Sequence, residues 1–408
     1  MATRFHIKSG ISLFFHGITL ISLALAAQSA QAQESDFTSC MNRLQPEAQK
    51  AGISSRSFKQ FTGNIVPDMS ILEKLDYQPE FRQPIWDYLA ALVDDQRIQE
   101  GKQNLGLYKD TLSRVQARYG VDPATVVAVW GVESNFGQTF GKYPLAQALG
   151  TLSCYGRRQA FFQKEFFAAL RILQSGDIAP ERLVGSWAGA FGHTQFMPTT
   201  FERLAVDFDA DGQRDLMDNV DDALGSTANY LVKNGWQTGQ PWGFEVKLPK
   251  DMSIAGEGRR KKRSIQTWAS KGVTAVNGKA LASLAAPSTQ AGLLTPAGAN
   301  GPAFLVFKNF DVIYSYNAAE SYALAIAHLA DRLRGGEAFQ TAWPTDDPGL
   351  SRAERIVLQK KLLQKGYAIG EADGLIGSKT REAIKAEQTR LGLKADGRAG
   401  QKILKALQ

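Results

Sequence analysis

Between Asp122 and Gly137 the chain spells out a helix with a marked start and an interior almost free of charge. Asp122 supplies a side-chain cap, Pro123 takes the first helical position, and Ala124-Thr125-Val126-Val127-Ala128-Val129-Trp130-Gly131-Val132 follows. Val126, Val129 and Trp130 repeat at i, i+3 and i+4, which ties the segment to an apolar core, and Glu133 falls on the next step of that stripe. A carboxylate facing apolar neighbours loses the hydration of its charged form. Burial is therefore expected to raise the pKa of Glu133 and keep it a proton donor near neutral pH. The ordinary alternative is a Glu at a helix end that reaches solvent or pairs with an Arg.

The 408 residues, 44% hydrophobic and 21% charged, suit two or three folded domains and exclude a chain disordered throughout. Arg4, His6 and Lys8, an apolar run from Ile11 to Ala27, and Ala30-Gln31-Ala32 have the three regions of a secretory signal peptide, with the cut expected after Ala32. His16, Thr19 and Ser22 interrupt the run, which weighs against a retained anchor. No Cys at the cut offers a lipid attachment point. The expected mature chain is a monomer in the periplasm with no membrane anchor. Cys40 and Cys154, the only two cysteines, are candidates for one disulfide in an oxidising compartment.

The formal charge of +7 fits an anionic polymer as partner without identifying one. For an exported protein the run Arg259-Arg260-Lys261-Lys262-Arg263 reads as a solvated loop or a wall contact, and no nucleic-acid partner is expected.

From Phe37 to about Leu333 the pattern is mainly helical, with clear segments at Pro84–Asp94, Gln159–Leu173 and Ala223–Lys233. Gly243 to Val312 reads as an insertion with a few strands, among them Phe244–Leu248 and Ala303–Phe307, before a helix resumes at Asn317. The expected boundaries are a signal peptide at 1–32, a main domain at 33–335, a linker at 336–350 and a small unit at 351–408. That last unit repeats itself: Ala372-Asp373-Gly374 to Lys379 is echoed by Ala395-Asp396-Gly397 to Lys402, each a turn leading into a helix. So small a unit suits binding better than catalysis.

Two further clusters carry chemistry. In Ser186-Trp187-Ala188-Gly189-Ala190-Phe191-Gly192-His193-Thr194-Gln195-Phe196-Met197-Pro198, small residues allow close backbone approach, and Ser186 and Gln195 can hydrogen-bond a ligand in the groove. Tight helix packing accounts for most of the run, but least well for Gln195. Asp207, Asp209, Asp211, the carbonyl of Gln213, Asp215 and Asp218 fall at the donor positions of an EF-hand loop, with Gly212 at its sharp turn. Asp218 is shorter than the usual Glu, so Asp221 or Asp222 could close the loop instead, and a solvated acidic turn is the metal-free alternative.

Glu133-Ser134-Asn135-Phe136-Gly137, the Leu152-Ser153 to Arg157-Arg158 stretch, the Ser186–Pro198 run, the acidic loop, Ala228-Asn229-Tyr230 and Tyr316-Asn317 stand in the order found in the B-type (family 3) lytic murein transglycosylases. The C-terminal repeat resembles the small three-helix peptidoglycan-binding domain. The resemblance implies a mainly α, lysozyme-like catalytic domain with a small β-containing insertion, and peptidoglycan glycan strands as partner. It implies Glu133 as the single catalytic acid/base and Ser134, Arg157, Arg158, Ser186, Gln195, Tyr230, Tyr316 and Asn317 along the substrate. The loop after Asp218 is one residue longer than the family's, which leaves its last ligand open.

Most glycosidases use two carboxylates, and no second candidate here matches Glu133. One suffices if the muramic acid's own C6 hydroxyl is the nucleophile, giving a 1,6-anhydro end without water. A hydrolytic muramidase and a non-catalytic wall-binding protein are the rivals. No cofactor is expected for catalysis, only a structural calcium.

Overall fold

The helix begun by Asp122 and Pro123 is buried on every side, not along one stripe. The computed structural model describes residues 36–76 and 83–408, so the expected signal peptide lies outside the described residues. Asp122 accepts from Thr125 N at 3.1 Å, Pro123–Ser134 is helical, and Asn135 ends the helix in the left-handed region at φ 51°. Val126, Val127, Ala128 and Val129 are 0% exposed. Val127 and Ala128, off the stripe, are enclosed as fully as Val126 and Val129, because the helices Asp95–Leu107, Lys109–Tyr119, Val220–Lys233 and Glu320–Leu333 pack around this one. Each buried valine contributes roughly 1.5–3 kcal/mol, and replacing the enclosed Trp130 by Ala costs about 3–5 kcal/mol.

By compactness the chain divides into two units, one of residues 1–75 and 142–189, the other of 76–141 and 190–408. In the first, described from residue 36, a helix over 36–50 and the helices Ser55–Thr62, Leu145–Cys154 and Gln159–Ser175 bury Met41, Leu44, Ile53, Phe58, Leu149 and Phe166. Tyr143–Pro144 pairs antiparallel with Val184–Gly185. Cys40 and Cys154 are bonded, with Cα atoms 5.9 Å apart.

In the second unit the expected β-containing insertion is a five-stranded antiparallel sheet in the order Arg263–Ser264, Gln290–Leu294, Ala303–Val306, Gly243–Lys247, Thr274–Ala275. It has its own core of Val246, Ile265, Trp268, Leu293, Leu305 and Phe307. The insertion ends earlier than its β-prone composition suggests. Lys308–Asn317 is already helical, and Ala318 at φ 48° breaks it from Glu320–Leu333.

The basic run is partly spent inside the fold. Arg259 pairs with Asp311 at 3.0 Å, Lys262 with Asp311 at 2.9 Å and Arg263 with Glu257 at 3.0 Å, so these three are not the solvated loop their composition suggested, while Arg260 and Lys261 are exposed.

Helices Arg352–Gln364, Ser378–Arg390 and Gln401–Ala406 enclose Leu358, Leu362, Ile384 and Ile403. The repeat is structural. Gln359 bonds Asp373 at 3.1 Å and Gly374 N at 2.7 Å, and Gln388 does the same for Asp396 at 2.9 Å and Gly397 N at 2.8 Å.

The stretch read as a linker has no helix or strand and is tied down at several points. Glu245 accepts from Gln340 N and Thr341 N at 2.8 Å each, and Phe339 stacks on His328 at 3.8 Å. Arg398 then grips Asp87 through two bonds of 2.6 and 2.7 Å, docking the small three-helix unit on the helix Ile85–Leu92. Among the described residues no helix is long and apolar enough to cross a membrane.

Candidate active site

Glu133 stands half-buried on the last turn of the central helix, and two glycines fix what surrounds it. Gly131 lets the Phe136 ring lie where a Cβ would meet its atoms at 2.7 Å, and Gly137, at φ 82°, makes room for the His193 ring, 2.5 Å from a Cβ there. His193 Nδ1 accepts from Trp130 Nε1 at 3.0 Å. Burial pulls the pKa of His193 down to about 4, against the opposing charge of Asp218, so the ring is a neutral structural acceptor and not a proton carrier at neutral pH.

Three tyrosines gather at the carboxylate. The Tyr322 hydroxyl donates to Glu133 Oε1. The Tyr316 hydroxyl donates to Thr194 O at 2.7 Å, and that of Tyr230 to Ser315 O at 2.8 Å. The Tyr316 ring lies 4.6 Å from Tyr230 and 6.3 Å from Tyr322. Burial first, and the charge of Glu133 second, hold the Tyr316 and Tyr322 phenols well above the usual tyrosine range. Tyr230 is raised by burial and, more weakly, by Glu133. All three are therefore neutral donors, and of the three hydroxyls that of Tyr322 is the one given to the acid.

The expected site residues fare unevenly. Tyr230, Tyr316 and Gln195 share the second unit with Glu133. Gln195, at φ 51°, donates Nε2 to Gly192 O at 2.9 Å and Phe140 O at 3.3 Å. Asn317 is exposed at the end of its helix.

Ser134 is a correction. It is 0% exposed, donates to His193 O at 2.6 Å and accepts from Gly137 N at 2.9 Å, so it ties two backbones together and has no surface to offer a substrate. Arg157, Arg158 and Ser186 belong to the other unit. There Arg157 donates to Leu75 O at 2.5 Å, Arg158 lies 4.4 Å from the Phe161 ring, and the Ser186 carbonyl accepts from Gly189 N at 3.1 Å.

Tyr322 went unnoticed in the sequence. It lies 189 residues from Glu133, beyond any helical periodicity, and its place six residues after Tyr316 was the one available signal.

The acidic loop curls on its own backbone. Asp207 accepts from Asp211 N at 3.1 Å and Gly212 N at 2.9 Å, and Asp211 from Gln213 N at 2.8 Å. Carboxylate oxygens of Asp207, Asp209 and Asp211 come within 4.8 Å of one another, a hard-oxygen cluster of the kind that suits calcium.

Asp221 does not close this loop. It accepts from Thr111 at 2.8 Å and pairs with Arg114 at 2.5 Å. Asp222 is buried, accepting from Phe208 N at 2.6 Å and Asp215 N at 2.8 Å, so it knits the loop ends. Asp218 alone of the three candidates is left exposed.

A helix-borne carboxyl bracketed by neutral tyrosines, in a mainly α lysozyme-like fold with a small helical unit appended, defines a glycan-processing class of protein. The comparisons agree: the chain belongs to the Transglycosylase SLT domain family, whose model matches residues 36–331. A peptidoglycan binding domain model matches residues 351–407. Membrane-bound lytic murein transglycosylase B of Escherichia coli (strain K12) is 34% identical over 246 residues, 59% of this chain and 65% of that protein. The structure of SltB3 from Pseudomonas aeruginosa in complex with NAG-anhNAM-pentapeptide is 43% identical, covering 91% of this chain and 99% of that one, with a TM-score of 0.74. The Escherichia coli lytic transglycosylase Slt35 in complex with calcium is 29% identical, covering 74% of this chain and 94% of that one, with a TM-score of 0.63.

Proposed function

We propose that this protein cleaves the bond between N-acetylmuramic acid and N-acetylglucosamine in peptidoglycan without water, leaving 1,6-anhydromuramoyl ends. The observation that carries it is Glu133 itself, one carboxyl joined to Tyr322 and flanked by Tyr316. Its charge is felt by all three tyrosines.

Protonated Glu133 gives its proton to the leaving glycosidic oxygen as the C1–O bond breaks. The resulting carboxylate takes the proton of the muramic C6 hydroxyl as that oxygen closes on C1. The Tyr322 hydrogen bond strengthens as charge develops on Glu133, so it favours the transition state over the ground state. Tyr316 and Tyr230, whose hydroxyls are tied to backbone carbonyls, form a fixed wall. The relative bound to NAG-anhNAM-pentapeptide supports a non-hydrolytic outcome.

Glu133→Gln is expected to abolish release of anhydromuropeptides from purified cell walls while the melting temperature holds. Retained release in that variant would sink the assignment. Products one water heavier from the wild type would instead make it a hydrolase.

Calcium belongs to the same proposal, as a structural ion with Asp207, Asp209, Asp211, the Gln213 carbonyl and Asp218 as its ligands. It would supply hard-cation cross-linking of the loop and no step of the reaction. Export to the periplasm and work there as a monomer complete the reading. The signal-peptide pattern and the Cys40–Cys154 bond support the oxidising compartment.

A further inference from the structure

A second recess on the catalytic unit has the chemistry of a sugar site. It encloses about 710 Å³ and is lined by Trp86, Tyr314, Pro84, Pro296, Pro344 and Glu320, among others. Flat aromatic and proline rings present the apolar surface on which the C–H faces of a pyranose stack.

The ring positions are built, not incidental. Tyr314 is backed by the Arg259 guanidinium, 3.5 Å from its centroid, and Trp86 lies 6.4 Å from Trp343.

The recess shares a strip of chain with the catalytic group. Residues Ala318 to Ser321 line it, while Tyr316 and Tyr322, on either side of them, belong to the cluster at Glu133.

We propose that this cleft holds an N-acetylated sugar of the glycan strand at a position remote from the bond being cut. The proposal rests on the reading of Glu133 as a glycan-cleaving acid. Glycan is favoured over the charged stem peptide because Glu320 is already paired with Arg259, at 3.5 Å. What the cleft then offers is ring surface with neutral polar groups such as Gln83 and Ser321 beside it.

The test uses the full chain and peptide-free glycan strands of two lengths, a tetrasaccharide and an octasaccharide. Trp86→Ala is expected to lower kcat/KM on the octasaccharide roughly tenfold, the equivalent of about 1.4 kcal/mol, chiefly through KM, and to change the tetrasaccharide value less than twofold. Tyr314→Ala, which leaves the central helix untouched, is expected to show the same length dependence and guards against a Trp86 variant that misfolds. Equal losses on both lengths, or none on either, overturn the proposal while the wild type still cleaves. A loss confined to strands that keep their stem peptides overturns it in favour of a peptide site. A wild type that cleaves neither strand refutes the reading of Glu133, and this site with it.

Discussion

Replacing Tyr322 with Phe removes one hydroxyl from the structure and almost nothing else. The ring is 2% exposed, and Phe keeps its packing against Tyr316. What is lost is the hydrogen bond to Glu133 Oε1, one whose acceptor becomes fully charged as the acid delivers its proton. Hydrogen bonds to charged groups are worth about 1.5–3 kcal/mol. At about 1.4 kcal/mol per decade, kcat is expected to fall roughly 10- to 150-fold. KM is expected to stay within about twofold, because the hydroxyl touches the catalytic carboxyl and not the sugar. The melting temperature is expected to change little, since the deletion opens no cavity. The assay is the initial rate of anhydromuropeptide release, with the two parameters separated on a defined glycan strand. A Tyr322→Phe enzyme with wild-type kcat, or one whose loss lies entirely in KM, refutes the role assigned to this hydrogen bond.

Chelation is expected to lower the melting temperature and added calcium to restore it, with about 2.7 kcal/mol gained at a hundredfold excess over Kd; a melt indifferent to both excludes the metal. The Cys40–Cys154 bond spans 114 residues, and Cys40→Ser with Cys154→Ser is expected to cost about 2–4 kcal/mol in denaturant unfolding. His328 is buried, and burial with Arg332 pulls its pKa from 6.5 to about 4. The unfolded chain therefore binds the extra proton first, and the stability contributed above pH 6.5 is lost as pH falls toward 4, by up to about 3 kcal/mol. His328→Phe is expected to flatten that acid limb, and an unchanged slope counts against it. Asp87→Ala leaves Arg398 with Asp347 as its remaining acid and is expected to cost about 1.5–3 kcal/mol, read as an earlier, separate melting of residues 351–408 or as new proteolysis within 336–350.

Local chemistry alone placed the central helix. Asp122 and Pro123 mark its start and the apolar run its interior, and both act within a few residues. The same holds for the repeated Asp-Gly turns at 373 and 396, for the insertion strands Gly243–Lys247 and Ala303–Val306, and for the acidic loop, whose Asx turns are local hydrogen bonds.

Glu133 stood out because a charge on an apolar repeat is conspicuous without any knowledge of its neighbours. Its partner Tyr322 did not, because the contact joins helices distant in sequence and a tyrosine in a helix carries no such conflict. Ser134 misled for the complementary reason. A serine beside a catalytic acid looks exposed in a sequence, and only the fold of residues 191–194 buries it under His193.

Asp218, Asp221 and Asp222 are the same residue type within five positions, equal as candidates until Arg114 and Thr111 claim Asp221 and the N–H groups of Phe208 and Asp215 claim Asp222. The basic run at 259–263 reads from composition as a solvated loop or a wall contact, and 336–350 as a linker. Asp311 and Glu245 revise that reading, each supplying from a distant segment the charge that fixes part of them.

Periodicity and turn chemistry are local, so the sequence by itself determined the helices, the turns and the place of Glu133 on an apolar repeat. Which groups meet that acid, which carboxylates are claimed by other partners and which segments are tethered depend on contacts between residues far apart in the chain, and those only the tertiary structure decided.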